Sequence, residues 1–263
     1  MVLALGVARI FNFAHGEFYT LSAYIVYFMF CMYHIPFALA IVLAVLGAGL
    51  LGALCYRYMF RYVREDLLSC AAISVGLMLI LRQGALIVFG TQVKSIPSVL
   101  PGVVTIGNII LPMEKLLVIA VCLSVMLGLR FLLMNTKLGR AMRATAEDAE
   151  ASSLQGINLD AIYLVILGLS CALAGAAGAI IAPAFSVTPT SGWNMFIVAL
   201  MVLVVGGMTS IVGGVVGGIL VGLFLSFGYY FVGGAIHLFL FVVAGVILIL
   251  RPWGVFGRAI EIR

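Results

Sequence analysis

Eight apolar runs follow one another along the chain, at 18–33, 37–56, 67–89, 116–134, 161–182, 196–205, 215–232 and 236–250. The hydrocarbon core of a bilayer is about 30 Å thick and a helix rises about 1.5 Å per residue, so one crossing takes about 20 apolar residues. The runs therefore predict an all-α fold: a polytopic transmembrane helical bundle of about eight spans, forming a single transmembrane domain over 1–263. Composition agrees, because 65% of the residues are hydrophobic and 9% are charged, against about 25% charged in soluble domains. Little chain is left for a large extramembrane catalytic domain.

The breaks between the runs set the orientation. Arg57, Arg61 and Arg64 lie in one connection, Arg130, Lys137, Arg140 and Arg143 around another, and Arg251, Arg258 and Arg263 at the end. Basic residues mark the cytoplasmic side, so 57–66, 135–160 and 251–263 are expected there. The proline-bearing connections 91–114 and 183–192 each lie one span away and are expected outside. Ten of the fourteen basic residues are accounted for by orientation, and the net charge of +5 needs no nucleic-acid partner. Positions 1–8 are apolar but reach only about 12 Å as a helix before Arg9 and the polar Asn12, His15 and Glu17. The chain is thus expected to begin inside a first membrane helix, lacking part of it.

Thirty glycines, many inside apolar runs, imply close helix packing or broken and re-entrant helices. The five cysteines, Cys31, Cys55, Cys70, Cys122 and Cys171, stand singly, which suggests neither a disulfide framework nor a metal site.

Three regions carry functional candidates. The longest hydrophilic stretch is 135–160, in which Leu138, Ala141, Met142 and Thr145 share one helical face. Gly156 is placed to end a helix and Asn158 to cap the next. It reads as a helical hairpin lying against something, or equally as a solvated connector. The second region is Gly206-Gly207-Met208-Thr209-Ser210. Each glycine costs a helix about 1 kcal/mol relative to alanine, so a break or re-entry is expected there, with backbone groups freed to line a pathway. The following Gly213, Gly214, Gly217 and Gly218 fit G-x-x-x-G helix packing. No Walker lysine accompanies them. Third come the ionisable groups His15, Glu17, Arg82 and His237. Arg82, about 12 Å from the end of its run, suits snorkelling or a structural ion pair; Asn12 to Glu17 suit a polar helix junction or substrate contact.

With these regions in hand, the chain resembles the permeases of ABC importers for branched-chain amino acids. The motifs fall in the family's order: Ile10-Phe11-Asn12-Phe13-Ala14-His15-Gly16-Glu17, Arg61-Tyr62-Val63-Arg64, Ile73-Ser74-Val75-Gly76-Leu77, Gly139-Arg140-Ala141-Met142-Arg143-Ala144 with Ala146-Glu147-Asp148, Leu154-Gln155-Gly156-Ile157-Asn158, Gly206 to Ser210, and Arg251-Pro252-Trp253-Gly254-Val255-Phe256-Gly257-Arg258. The resemblance implies one permease half, beside a second and different permease, two cytoplasmic ATPase subunits and an external substrate-binding protein. It makes 135–160 an ATPase-coupling loop, with Arg140, Arg143, Glu147, Asp148 and Gly156 as its contact candidates, and places the protein in the bacterial cytoplasmic (inner) membrane.

Alternating access is the expected mechanism. Asn12, His15, Glu17, Gly206, Gly207, Thr209 and Ser210 are candidates for the translocation pathway, and broken-helix ends would compensate a zwitterionic amino acid by dipole. No catalytic residue, metal or cofactor is expected in this chain, since ATP belongs to the partner subunits. Relatives of this architecture for urea, amides, sugars or other small polar solutes form the alternative. A stand-alone secondary carrier would need carboxylates at membrane depth, for which Glu17 is the sole candidate, and no H-E-x-x-H or G-x-S-x-G supports a hydrolase.

Overall fold

The computed structural model describes residues 1–64, 66–100, 102–106, 109–208, 210–251 and Gly254. Thr209, Arg258, Arg263 and the Pro252, Trp253, Val255, Phe256 and Gly257 of the closing motif lie outside the described residues.

The chain runs through a short helix α1 (Val2–Gly6), α2 (His15–Tyr27) continued by a π-helical turn (Phe28–Met32), α3 (Phe37–Tyr58) and α4 (Leu67–Phe89). A two-stranded antiparallel hairpin, β1 (Val103–Ile106) and β2 (Ile109–Pro112), precedes α5 (Met113–Asn135). Two short helices, α6 (Lys137–Glu147) and α7 (Ala149–Leu154), lead to α8 (Leu159–Ile181), α9 (Ser191–Gly206), α10 (Ile211–Val232) and α11 (Ile236–Leu250). Five segments are long and apolar enough to cross a membrane: Phe37–Tyr62, Leu67–Phe89, Met113–Asn135, Leu159–Ile181 and Val212–Leu250. The last holds both α10 and α11, which reverse at Gly233 (φ +63°) so that Val221 packs with Leu240 and Ala244. With α2 and the shorter apolar α9, eight apolar helical segments line up with the eight runs.

Helix starts follow from polar side chains at the boundaries. Asp66 accepts the Leu68 and Ser69 amides ahead of α4, Thr136 accepts Gly139 N ahead of α6, Asp148 accepts Ala151 N ahead of α7, Asn158 accepts Ala161 N ahead of α8, and Ser210 accepts Gly213 N ahead of α10. Each satisfies an amide that has no partner inside its own helix.

Inside the bilayer, helix association depends on close packing of small side chains, since lipid tails are as apolar as leucine. Here α3 supplies Ala40, Ala44, Ala48 and Gly52 at every fourth position, all buried. They face α8, where a Cβ on Gly52 would come within 2.6 Å of Cys171 and one on Gly175 within 2.6 Å of Ala48. α2 crosses the same helix with the Tyr19 carbonyl against Gly178, and meets α9 where Gly16 and Gly192 face each other through their carbonyls. The α3–α8 seam is the centre of the bundle.

The two ends of the molecule are separated by their contacts. Arg61 and Arg64 of one basic connection pair with Asp160 of the next. At the other end Lys94 and Val187 exchange both backbone hydrogen bonds, at 3.0 and 2.8 Å, joining the two proline-bearing connections. Loops expected on one side therefore meet on one side. The hairpin β1–β2 is the element that apolar periodicity does not foretell.

Candidate functional site

Positions 7–14 are not helical, yet Ala8, Ile10, Asn12 and Ala14 are buried. Phe13 N donates to Ser74 Oγ at 3.1 Å, and Ser74 lies about 10 Å inside α4 at 1.5 Å per residue. His15, the first residue of α2, has Nε2 at 3.1 Å from Met1 N, which in turn lies 3.4 Å from Ser170 Oγ, halfway along α8. So α2 starts within the bundle, and the irregular backbone ahead of it is enclosed by protein, as non-helical chain at membrane depth must be.

The polar side of α2 is unusual for a packed helix. Asn12 Oδ1 accepts Ala14 N at 2.9 Å in a local turn. Asn12 Nδ2, His15 Nδ1, Thr20 Oγ1 and the Tyr24 hydroxyl are buried without a hydrogen-bond partner among the described residues. An unsatisfied buried polar group costs about 1–3 kcal/mol; Thr20 and Tyr24 share one face of α2, while His15 points instead toward Met1 and α8 and Asn12 precedes the helix. Glu17, 3% exposed, stands in the first turn, where its charge complements the positive end of the helix. Arg82 of α4 is half-buried and makes no ion pair among the described residues. Of these, Thr20 and Tyr24 escape a sequence reading keyed to charge; their place with Glu17 at i, i+3 and i+7 is the signal that marks them.

The break after α9 falls where the glycines predict, and its setting is different. Gly206 is pressed against the Gly213 carbonyl, and a Cβ on Gly217 would lie 2.9 Å from Gly206 Cα. Gly207 takes φ +101° and donates its amide to Leu203 O at 2.9 Å. Gly254, just past α11, packs on Gly207 Cα. Gly206 and Gly207 thus sit in a tightly packed connection at the basic end of the bundle, closed by Gly213, Gly217 and Gly254. The break at 7–14 is the more enclosed of these two, with Phe13 against Phe196 and its amide on Ser74.

At the same end, 135–160 forms the helical hairpin. Gly139, Met142 and Thr145 face inward and Met142 is fully buried in the main core, a burial that stabilises by about 2 kcal/mol. Arg140 and Glu147 are exposed. Arg143 turns back to donate to the Leu133 carbonyl and approaches Met134 Sδ at 3.3 Å, which holds the α5–α6 elbow. Asp148 caps α7. Gly156 takes φ +84° in open space, a conformation glycine adopts without strain. The coupling candidates thus divide into two free surface charges, Arg140 and Glu147, and three residues that shape the hairpin. Leu154, 86% exposed at the end of α7, is an apolar tip that the sequence reading does not single out.

The family described as branched-chain amino acid transport system / permease component matches residues 1–251. The chain belongs to this permease family. Among relatives, a high-affinity branched-chain amino acid permease, BraD of Pseudomonas aeruginosa, is 28% identical over 97% of this chain and 89% of its own length. LivH of Escherichia coli K12 is 28% identical over 97% of this chain and 88% of its own length. A fructose import permease, FrcC of Rhizobium meliloti, is 36% identical over 41% of this chain and 31% of its own length. No solved structure matches. This permease is a multi-pass membrane protein.

Proposed function

We propose that the chain is the membrane permease subunit of an ATP-driven importer that moves branched-chain amino acids across the bacterial cytoplasmic membrane by alternating access. The observation that carries the reading is the family match over residues 1–251. A helix that starts inside the bundle, with Asn12 Nδ2, His15 Nδ1 and Thr20 Oγ1 buried and without a hydrogen-bond partner among the described residues, gives it a physical basis. A broken-helix N-terminus offers amides and a positive dipole to a carboxylate, and Glu17 offers a carboxylate to an ammonium group. The basic end, with Arg57, Arg61, Arg64, Arg140 and Arg143, is the cytoplasmic one. There the α6–α7 hairpin docks on an ATPase through Glu147, Arg140 and Leu154. ATP is held by two partner ATPases, a second permease completes the core, and an external binding protein delivers substrate; the permease itself makes and breaks no bond. The domain spans 1–263, with 135–160 as its coupling element.

The test is uptake of labelled leucine by cells carrying the complete system. Glu147→Arg reverses a free surface charge, and Gly156→Pro removes the amide and the left-handed backbone of the turn. Both are expected to insert normally and to lose ATP-dependent uptake at least tenfold. Normal uptake in both, with the ATPase still bound, removes the coupling role. A second reading, a permease for another small polar solute, draws on the partial likeness to FrcC, and competition of leucine uptake by fructose, urea and amides decides between them.

A further inference from the structure

Both ion pairs among the described residues converge on one carboxylate. Asp160 Oδ2 receives Arg61 Nη2 at 2.9 Å, and Asp160 Oδ1 receives Arg64 Nη1 at 2.8 Å. The hydroxyl of Tyr56, a residue 1% exposed, donates to the same Oδ1 at 3.2 Å. Arg64 is held further by the face of Tyr163, 5.2 Å from its guanidinium carbon to the ring centroid. Asp160 lies in the first turn of α8, two residues after the Asn158 cap and four after the Gly156 turn. Its partners belong to α3 and the connection that follows it.

We infer that Asp160 is a positioning residue that makes α3 and α8 a single moving body, so that displacement of the α6–α7 hairpin is delivered to α3 as well as to α8. Three observations lead there. The hairpin joins α8 through Gly156, whose left-handed turn is tied back to α7 by Gly156 N to Ser153 O at 3.0 Å and Ile157 N to Ser152 O at 3.2 Å, so that the hairpin pulls directly on the start of α8. Immediately beyond that joint the Asp160 cluster spans to α3. From there inward, Gly52 against Cys171, Gly49 against Ala172 and Gly168 against Ala53 leave no room for the two helices to slide without collision. The seam holds the pair along its length, and the carboxylate with its two guanidinium groups holds it at the end where force enters. With one guanidinium group on each oxygen, these charge-assisted contacts hold the carboxylate from two sides.

The inference rests on the importer reading, and the experiment separates the two. The assembled transporter, permease with its ATPases and binding protein, is reconstituted in liposomes, and leucine uptake and ATP hydrolysis are measured together. Asp160→Asn is expected to lower the ratio of leucine moved to ATP hydrolysed about tenfold, with hydrolysis within twofold of wild type; Asp160→Glu, which keeps the charge, recovers most of the ratio. An unchanged ratio in Asp160→Asn overturns the inference, as does a parallel loss of uptake and hydrolysis. Should Asp160→Asn not accumulate, Arg61→Gln, which removes one bridge and leaves the other, is read by the same ratio, and an unchanged value there is equally fatal. If the wild-type chain itself shows no ATP-dependent uptake, the importer reading fails and the ratio is undefined.

Discussion

At the scale of single residues, glycines at contacts and glycines in open space make opposite predictions. Gly192 touches the Gly16 carbonyl and Thr20 Oγ1, so a methyl group there has nowhere to go. Gly192→Ala is expected to destabilise the α2–α9 crossing by about 1–3 kcal/mol, the usual cost of overpacking. Gly76 and Gly222 meet nothing within 4 Å, and alanine at either is expected to leave thermal stability in detergent unchanged or slightly raised. A drop in melting temperature for Gly222→Ala as large as that for Gly192→Ala would show that this contrast is wrong. Asp66 gives a pH-dependent case. The Ser69 hydroxyl, then the Leu68 amide, hold its carboxyl below its ordinary value of about 3.9. Because the folded form binds its proton less readily, the cap is fully effective above that value and is lost as pH falls through the depressed one. Amide exchange at Leu68 and Ser69, corrected for intrinsic rates, is expected to accelerate on acidification, and Asp66→Ala to abolish that dependence.

Among the elements, α6 is the one whose docking a single side chain decides. Met142 is fully buried while Arg140 and Glu147 on the far face are exposed, so Met142→Ala is expected to cost about 2–3 kcal/mol and to loosen the hairpin, read as faster proteolysis within 135–160. Resistance equal to wild type would mean the hairpin is held by Arg143 and the caps instead. This element was legible beforehand: the 3.6-residue spacing of Leu138, Ala141, Met142 and Thr145, with Gly156 and Asn158 as stop and start, is a local signal. The Asp160 cluster was not, because Arg61 and Arg64 are almost a hundred positions away and the positive-inside rule already accounts for them. Nor was the place of the 7–14 break, since burial of an irregular stretch depends on α4, α8 and α9 closing around it. Glycine at 206 and 207 did predict a break, but composition carries no depth, and the packing of Gly254 sets that turn at the basic end.

For the molecule as a whole, pairing of the loops fixes a single alternation of sides. With the native cysteines replaced, Ala149→Cys is expected to react only with reagents that cross the membrane and Ser95→Cys with impermeant external ones as well. External labelling at 149 reverses every side at once, because the Lys94–Val187 bridge and the Asp160 pairs bind the loops into two sets. The helices are unequal in how firmly they belong to this body. α5 is 23 residues long, about 34 Å, yet Leu133 near its basic end is its one buried residue. Its attachments are the packing of Leu129, Leu132 and Leu133 on the main core, the hairpin β1–β2 at one end and the Arg143 elbow at the other. The rest of its apolar length is left for lipid or a neighbouring subunit to cover. Any lean of α5 is passed to α6 through the elbow that Arg143 holds.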